Sequence, residues 1–229
     1  MMKKNLRRIL KIALVPSIVA LLIAIKLYSA FYGKAFDNET NIYITNSTTY
    51  DDIKGALTPS LRSGLHSVAF DLYAKRLRLE SRYEPGFYKF SEGESVIRVV
   101  RRLALGEQTP VLLRIGEART LPQLAGKIAS QIEADSATLL SAMRNTELRK
   151  ELGSVKDSTI AIFVPNSYQI HWNISPENLL RRIHREYDRF WNEERTAKLK
   201  RCGLSKYQVM TLASIVYEEV KIPSEMRMI

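Results

Sequence analysis

Pro85–Gln108 reads PGFYKFSEGESVIRVVRRLALGEQ, and it carries the punctuation of a turn, a strand and a helix in succession. Pro85-Gly86 marks a turn. Phe87 to Phe90 is a short strand, and Glu94 to Leu105 reads as a helix. Gly106 supplies its C-cap, because glycine enters the left-handed conformation without a Cβ clash. Upstream, Asn41 to Thr45 (NIYIT) alternates like a strand. Thr49 to Leu57 reads as a short helix with Thr49 as its cap. Leu61, Leu65, Val68, Leu72, Tyr73 and Leu77 recur at helical spacing and predict a second helix over 61–78. Downstream, Pro110 to Ile115 (PVLLRI) is a strand. Strand, two helices, strand, helix and strand together make a small α/β (α+β) unit, with the boundaries 38–116.

The N-terminus has a different character. Ile12 to Ile25 is an unbroken apolar run, which Leu27, Tyr28, Phe31 and Tyr32 extend past the single Lys26. With Lys26 snorkelling and the aromatics at the interface, the run reaches about 20 residues, enough for one transmembrane helix over 12–32. The alternative is a cleaved signal peptide, but a cut before Phe31 would put Tyr28 where a small residue is wanted. Lys3, Lys4, Arg7, Arg8 and Lys11 precede the run. Residues 1–11 are therefore expected in the cytoplasm and the bulk of the chain outside a bacterial cytoplasmic (inner) membrane, on its periplasmic face, as a single-pass protein.

Beyond Gly116 the reading is mostly helical: 121–133, 136–145 with Ser136 as cap, and 147–152. Ser175-Pro176-Glu177 opens a long helix, capped by Ser175 with proline at its first position, which runs to about Lys200 and is closed by Gly203. Ser205 caps a last helix. The 229 residues carry a net charge of +11, which suits an anionic partner such as a membrane surface, nucleic acid or an acidic wall polymer. The second basic cluster, around Arg181, Arg182, Arg185, Lys198, Lys200 and Arg201, is interleaved with acids and reads as a solvated helix face. One cysteine, Cys202, and three scattered histidines give no disulfide and no metal-ligand spacing; no metal and no cofactor are expected. No internal repeat, phosphate loop or low-complexity tract is evident.

The residues with chemical promise lie at Val209–Val220, VMTLASIVYEEV. Val209, Leu212, Ala213, Val216 and Val220 form an apolar stripe, and Glu219 falls on it, with Val216, Ile215 and Leu212 as helical neighbours. A carboxylate against an apolar wall holds its proton more tightly, as a general acid working near neutral pH must. Glu218 has Ser214 and Thr211 beside it instead. The plainer reading of either carboxylate is a boundary residue at the edge of the core.

LASIVYEEV, Leu212–Val220, resembles the LASIVEKET-type segment of the endolytic murein transglycosylases, the MltG/YceG-like family. Tyr217 and Val220 depart from it. In that family the last Glu of the segment is catalytic, and it corresponds to Glu219. Pro85–Gln108 is similar to the segment that follows the family's membrane anchor, which implies a LysM-like domain over 38–116. Phe163–Tyr168 (FVPNSY) resembles an FxPDTY-like string, with Asn166 and Ser167 where Asp and Thr are usual; it either shapes the cleft, with Tyr168 touching substrate, or is simply a loop pinned by Phe163 and Tyr168. The resemblance implies a membrane-anchored lyase that cleaves nascent peptidoglycan glycan strands and leaves 1,6-anhydromuramic acid ends. Its partners would be the glycan strands, the lipid bilayer and the cell-wall synthesis machinery, with no nucleic acid. Strings that follow the catalytic helix in the family (Asn-Arg-Leu, Asp-Pro-Thr, Asn-Thr-Tyr) do not occur, so 117–229 is expected to be an incomplete catalytic domain with doubtful activity. Two rivals stay open: a non-catalytic, membrane-anchored wall-binding or scaffolding protein, and a basic nucleic-acid binder, for which no recognition motif is present.

Overall fold

The structure, a computed structural model, describes residues 2–153 and 159–219, with side chains from Leu14 onward except that of Val15. It divides into two compact units, Met1–Pro110 and Val111–Ile229. The fold class is mixed α+β: helices dominate, and each unit holds one two-stranded antiparallel sheet.

Unit 1 opens with α1 (Met2–Tyr32), one helix that continues through Pro16. Its final turn is welded into the unit. Ala30, Ala35 and Phe36 are buried in the same core, and Ala35 N–H donates to the Glu94 carbonyl at 2.8 Å. Before that turn, Leu14, Ile18, Leu22, Ile25 and Tyr28 are exposed. The expected transmembrane span is not borne out: no helix among the described residues is long and apolar enough to cross a membrane. The side chains of the basic segment 1–11 and of the start of the run lie outside the described residues.

After α1 come β1 (Thr40–Ile44), α2 (Tyr50–Leu57), α3 (Gly64–Leu77), β2 (Gly86–Phe90) and α4 (Val96–Leu105). β1 pairs with β2 so that Ile42 faces Tyr88. Thr49 caps α2 in a reciprocal box with Asp52, which satisfies two end donors at once. Ser95 caps α4, and Gly106 ends it at φ 66°, so the turn, strand, helix and cap expected over 85–108 are all present. The strand expected to complete this unit, β3 (Val111–Ile115), instead pairs with β4 (Asn166–Ile170) in unit 2. The division thus falls after Pro110 rather than after Gly116, and the LysM-like assignment gains no support.

Unit 2 repeats the order of unit 1: β3, α5 (Leu121–Ala129), α6 (Ser136–Arg144), a short α7 (Thr146–Glu151), β4 and α8 (Pro176–Phe190). The repeat reaches single residues. Leu113 faces Tyr168 as Ile42 faces Tyr88. Thr120 caps α5 and Ser175 caps α8. Val99, Val100 and Leu103 of α4 are buried, and so are Leu179, Leu180 and Ile183 of α8. Each Leu, Ile or Val so buried contributes roughly 1.5–3 kcal/mol. An internal repeat is therefore present, although none is evident in the sequence, because the copies share burial and capping positions more than residue types.

Three further local expectations are corrected. α6 is capped by Asp135, whose carboxylate accepts from Thr138 N–H at 2.8 Å, so Ser136 is its first residue. FVPNSY is not all loop, since Asn166 begins β4. The long helix from Pro176 breaks at Asn192, which accepts from Arg195 N–H at 2.9 Å and starts α9 (Glu193–Cys202) with Glu193 and Glu194 in its first turn. An asparagine cap followed by acids is a helix start, and the continuous charged pattern hides it.

Candidate functional site

α10 (Lys206–Glu219) carries the candidate carboxylates. Ser205 starts it as expected: its hydroxyl accepts from Gln208 N–H at 3.2 Å, and the Gln208 side chain accepts from Ser205 N–H at 2.8 Å. The helix lies in unit 2 with no buried residue. Leu212 and Ile215 are exposed, Val209 and Val216 half-buried, and Glu219 is exposed. The apolar wall expected behind Glu219 is therefore open to solvent. Periodicity establishes that these side chains share a face, not that anything covers it. Val220, the last residue of the stripe, lies outside the described residues.

The end of α10 is held by the loop between β3 and α5. Glu218 forms an ion pair with Arg119 at 2.8 Å, and the Tyr217 hydroxyl donates to the Glu117 carboxylate. That carboxylate pushes the Tyr217 phenol up, first through the hydrogen bond and then through its charge, so the hydroxyl remains a donor at neutral pH. Successive helix positions point about 100° apart. With Tyr217 and Glu218 engaged toward residues 117–119, Glu219 is turned to a different side. Lys206, at the start of the helix, sits 5.7 Å from the Tyr187 ring and 5.9 Å from the Trp191 ring.

The structure does not bring Tyr168 to the same surface. It is buried, and its hydroxyl donates to the Val164 carbonyl at 2.7 Å. Burial pushes its phenol up. Its place is in the core of unit 2, on β4. No local signal in the sequence marks Glu117 and Arg119, since their partners lie 100 and 99 positions away. A second overlooked carboxylate is Glu133, half-buried in the turn after α5, which burial pushes up. Among the described residues no group of three or more His, Cys, Asp or Glu could hold a metal.

Two repeated units, the second bearing a helix that ends in a carboxylate pair, define a mixed α+β protein whose candidate residues sit on a surface. The chain belongs to the YceG-like family, whose model matches residues 42–229. Among solved structures it is similar to a yceG-like protein of Listeria monocytogenes, determined at 2.6 Å. The two share 19% identity at a TM-score of 0.48, over 82% of this chain and 67% of that one. A search of curated proteins finds none that matches. The family's activity is generally that of a lytic transglycosylase.

Proposed function

We propose that the protein is an endolytic peptidoglycan transglycosylase with Glu219 as its general acid and base. The observation that carries this reading is the family match, which runs through the Leu212–Glu219 segment. The ion pair at the helix end agrees with it: of the two exposed carboxylates, Glu218 is engaged by Arg119. One carboxylate suffices for this chemistry. Protonated Glu219 gives its proton to the glycosidic oxygen as the bond from that oxygen to C1 of muramic acid breaks. The same sugar's 6-hydroxyl attacks C1 and passes its proton to the carboxylate, closing a 1,6-anhydro ring. The nucleophile is held by the sugar itself, so no second carboxylate has to position a water.

The proposal extends to location. Leu14, Ile18, Leu22 and Ile25 expose an apolar surface on α1, which supports attachment of the chain to the cytoplasmic membrane, with both units on its outer side beside the glycan strands and the synthesis machinery, although no described helix is long and apolar enough to cross the bilayer. Carbonate extraction of membranes should leave the protein in the pellet, and protease added to spheroplasts should digest both units. A second reading, a non-catalytic wall-binding protein, is favoured by the exposure of Glu219, because a general acid profits from desolvation.

One experiment separates the two readings. Purified protein is incubated with glycan strands and the 1,6-anhydromuramic ends are counted by mass spectrometry. Glu219→Gln should lower the yield by about 10²–10⁴-fold, whereas Glu218→Gln should leave most of it. Strand binding without anhydro ends in the unmodified protein favours the non-catalytic reading. Equal yields in the Glu219→Gln variant and the unmodified protein remove Glu219 from the mechanism.

A further inference from the structure

α3 is apolar on two sides. One side, with Ala69, Phe70 and Ala74, is buried in the core of unit 1. The other carries Leu65, Val68 and Leu72, which are 47%, 54% and 57% exposed. These three fall one turn or two apart, on a single outward face. A helix that is apolar all round requires a partner on each side.

The repeat supplies an internal reference for this face. His66, Ala69 and Phe70 of α3 occupy the buried spacing that Leu139, Ala142 and Met143 occupy in α6. On that alignment Leu65 and Val68 correspond to Thr138 and Ser141 on the outward side of α6, and Leu72 to Asn145, which ends α6 and caps α7; all three are exposed. The same module therefore folds with a polar outer face. The apolar face of α3 is not needed for the fold.

The surroundings of the face indicate its occupant. Lys75 and Arg76 continue the outward side of α3, and both are exposed. Asp71, the acid within this helix, is turned away to Lys54 at 2.8 Å. The start of α3 is tied to the end of α1: Arg62 N–H donates to the Ala35 carbonyl at 2.8 Å, Phe36 bridges to Leu61, and Arg62 pairs with Asp37. Tyr28 and Tyr32 stack at 4.8 Å in the last turns of α1, both exposed, where amphipathic rings favour a membrane–water interface. α3 thus begins beside the point where the anchor enters unit 1, with no flexible linker between them.

We propose that the Leu65–Val68–Leu72 face of α3 lies in the lipid interface and seats unit 1 directly on the bilayer, with Lys75 and Arg76 on anionic headgroups. This inference rests on the anchoring of α1 proposed above and adds a second, surface contact to it. The module would then be held in one orientation rather than swinging on its tether.

The test uses the full chain carrying Cys202→Ser, reconstituted into vesicles of phosphatidylethanolamine and phosphatidylglycerol. Single cysteines replace Leu22, Val68 or Asp51 and carry an environment-sensitive fluorophore, and each variant is required to melt like the unmodified protein. The expected result is a blue-shifted probe at position 68, strongly quenched by lipids with shallow nitroxide labels, beside an unquenched probe at position 51. If the probe at 68 is quenched no more than that at 51 while the probe at 22 is quenched, the surface contact is overturned and the anchor stands. An unquenched probe at 22 overturns both. A probe at 68 shielded from water-soluble quenchers but not reached by the lipid nitroxides means that another protein, such as a second copy, covers the face, and the inference fails.

Discussion

Tyr88 and Tyr168 stand at the same place in the two units and do the same thing. Each lies on the second strand of its sheet, is buried, and donates its hydroxyl at 2.7 Å to the carbonyl four residues earlier, Glu84 in one case and Val164 in the other. Thr49 and Thr120, and Ser95 and Ser175, are likewise paired as helix caps. The units differ in what surrounds this frame. Arg102 of unit 1 is buried in a dense polar network, whereas Arg182, at the corresponding turn of α8, is more open and pairs within its own helix. His66 is buried where unit 2 has Leu139. The comparison shows that caps, register and buried positions specify this module, while its remaining surfaces are free to be assigned.

The largest expected difference between the copies is at the arginines. The Arg102 guanidinium donates to both Glu94 oxygens at 2.9 and 3.1 Å, to the Lys89 carbonyl at 2.9 Å and to the Thr109 hydroxyl at 2.9 Å. Its side chain is only 10% exposed and that of Glu94 12%. Arg102→Ala leaves the largely buried Glu94 carboxylate with only the exposed Arg98 at 3.8 Å as counter-charge, and the expected loss is about 3 kcal/mol. Arg182, 35% exposed, pairs with Glu186 one turn on, and Arg182→Ala should cost less than about 1 kcal/mol. Hydrogen exchange read separately over 40–105 and 111–190 measures both. Equal losses would mean that the two networks are alike after all.

The tyrosines test the sameness. Tyr88→Phe and Tyr168→Phe each remove a hydroxyl and its part-buried hydrogen bond, at an expected cost of about 0.5–1.5 kcal/mol in their own unit. The two values should agree within measurement error. A cost in one unit alone would break the equivalence at its most exact point. Thr49→Ala and Thr120→Ala should each cost about 1 kcal/mol. Thr49 should lose slightly more, because Asp52 also accepts from Thr49 N–H at 2.8 Å and relies on the same turn. Exchange at the first turns of α2 and α5 is the readout.

The sequence carries these local devices openly and the long-range ones hardly at all. Pro85-Gly86, Gly106 and Thr49 announce turn, end and cap through backbone chemistry that needs no partner. β3 is visible as a strand, but its pairing with β4 joins Val111 to Ile170 across the whole of α5, α6 and α7, and nothing near Val111 encodes that choice. The repeat escapes notice because Ile53 and Leu57 become Leu124 and Ile128, and Val99 and Leu103 become Leu179 and Ile183: the positions persist while the residues change. At the candidate site the carboxylate pair is legible from LASIVYEEV, but the partners Glu117 and Arg119 and the exposure of Glu219 depend on where α10 lies, which helical periodicity does not determine.

The smallest predicted effect is the part of the pH dependence of unit 1 that His66 contributes. His66 is buried, accepts or donates at the Ser63 hydroxyl at 2.8 Å, and has Arg62 and Asp37 as the charged groups acting on it. Burial, and after it the Arg62 charge, holds its imidazole below the ordinary value of 6.5, with Asp37 opposing. Above about pH 6.5 the ring is neutral in both folded and unfolded chains, and unit 1 has its full stability. As pH falls below 6.5 the unfolded chain takes up a proton that the folded chain resists, so stability is lost toward the lower folded value. His66→Leu, which copies Leu139 of unit 2, should remove this part of the slope. The measurement is the melting of unit 1 at pH 7.5 and 5.5 in both proteins, since other titrating groups contribute equally to each. The unmodified protein should lose more on acidification, by no more than roughly 4 °C. Parallel slopes would show that the ring is solvated well enough to titrate normally, and the difference at this position between His66 and Leu139 would then be one of packing alone.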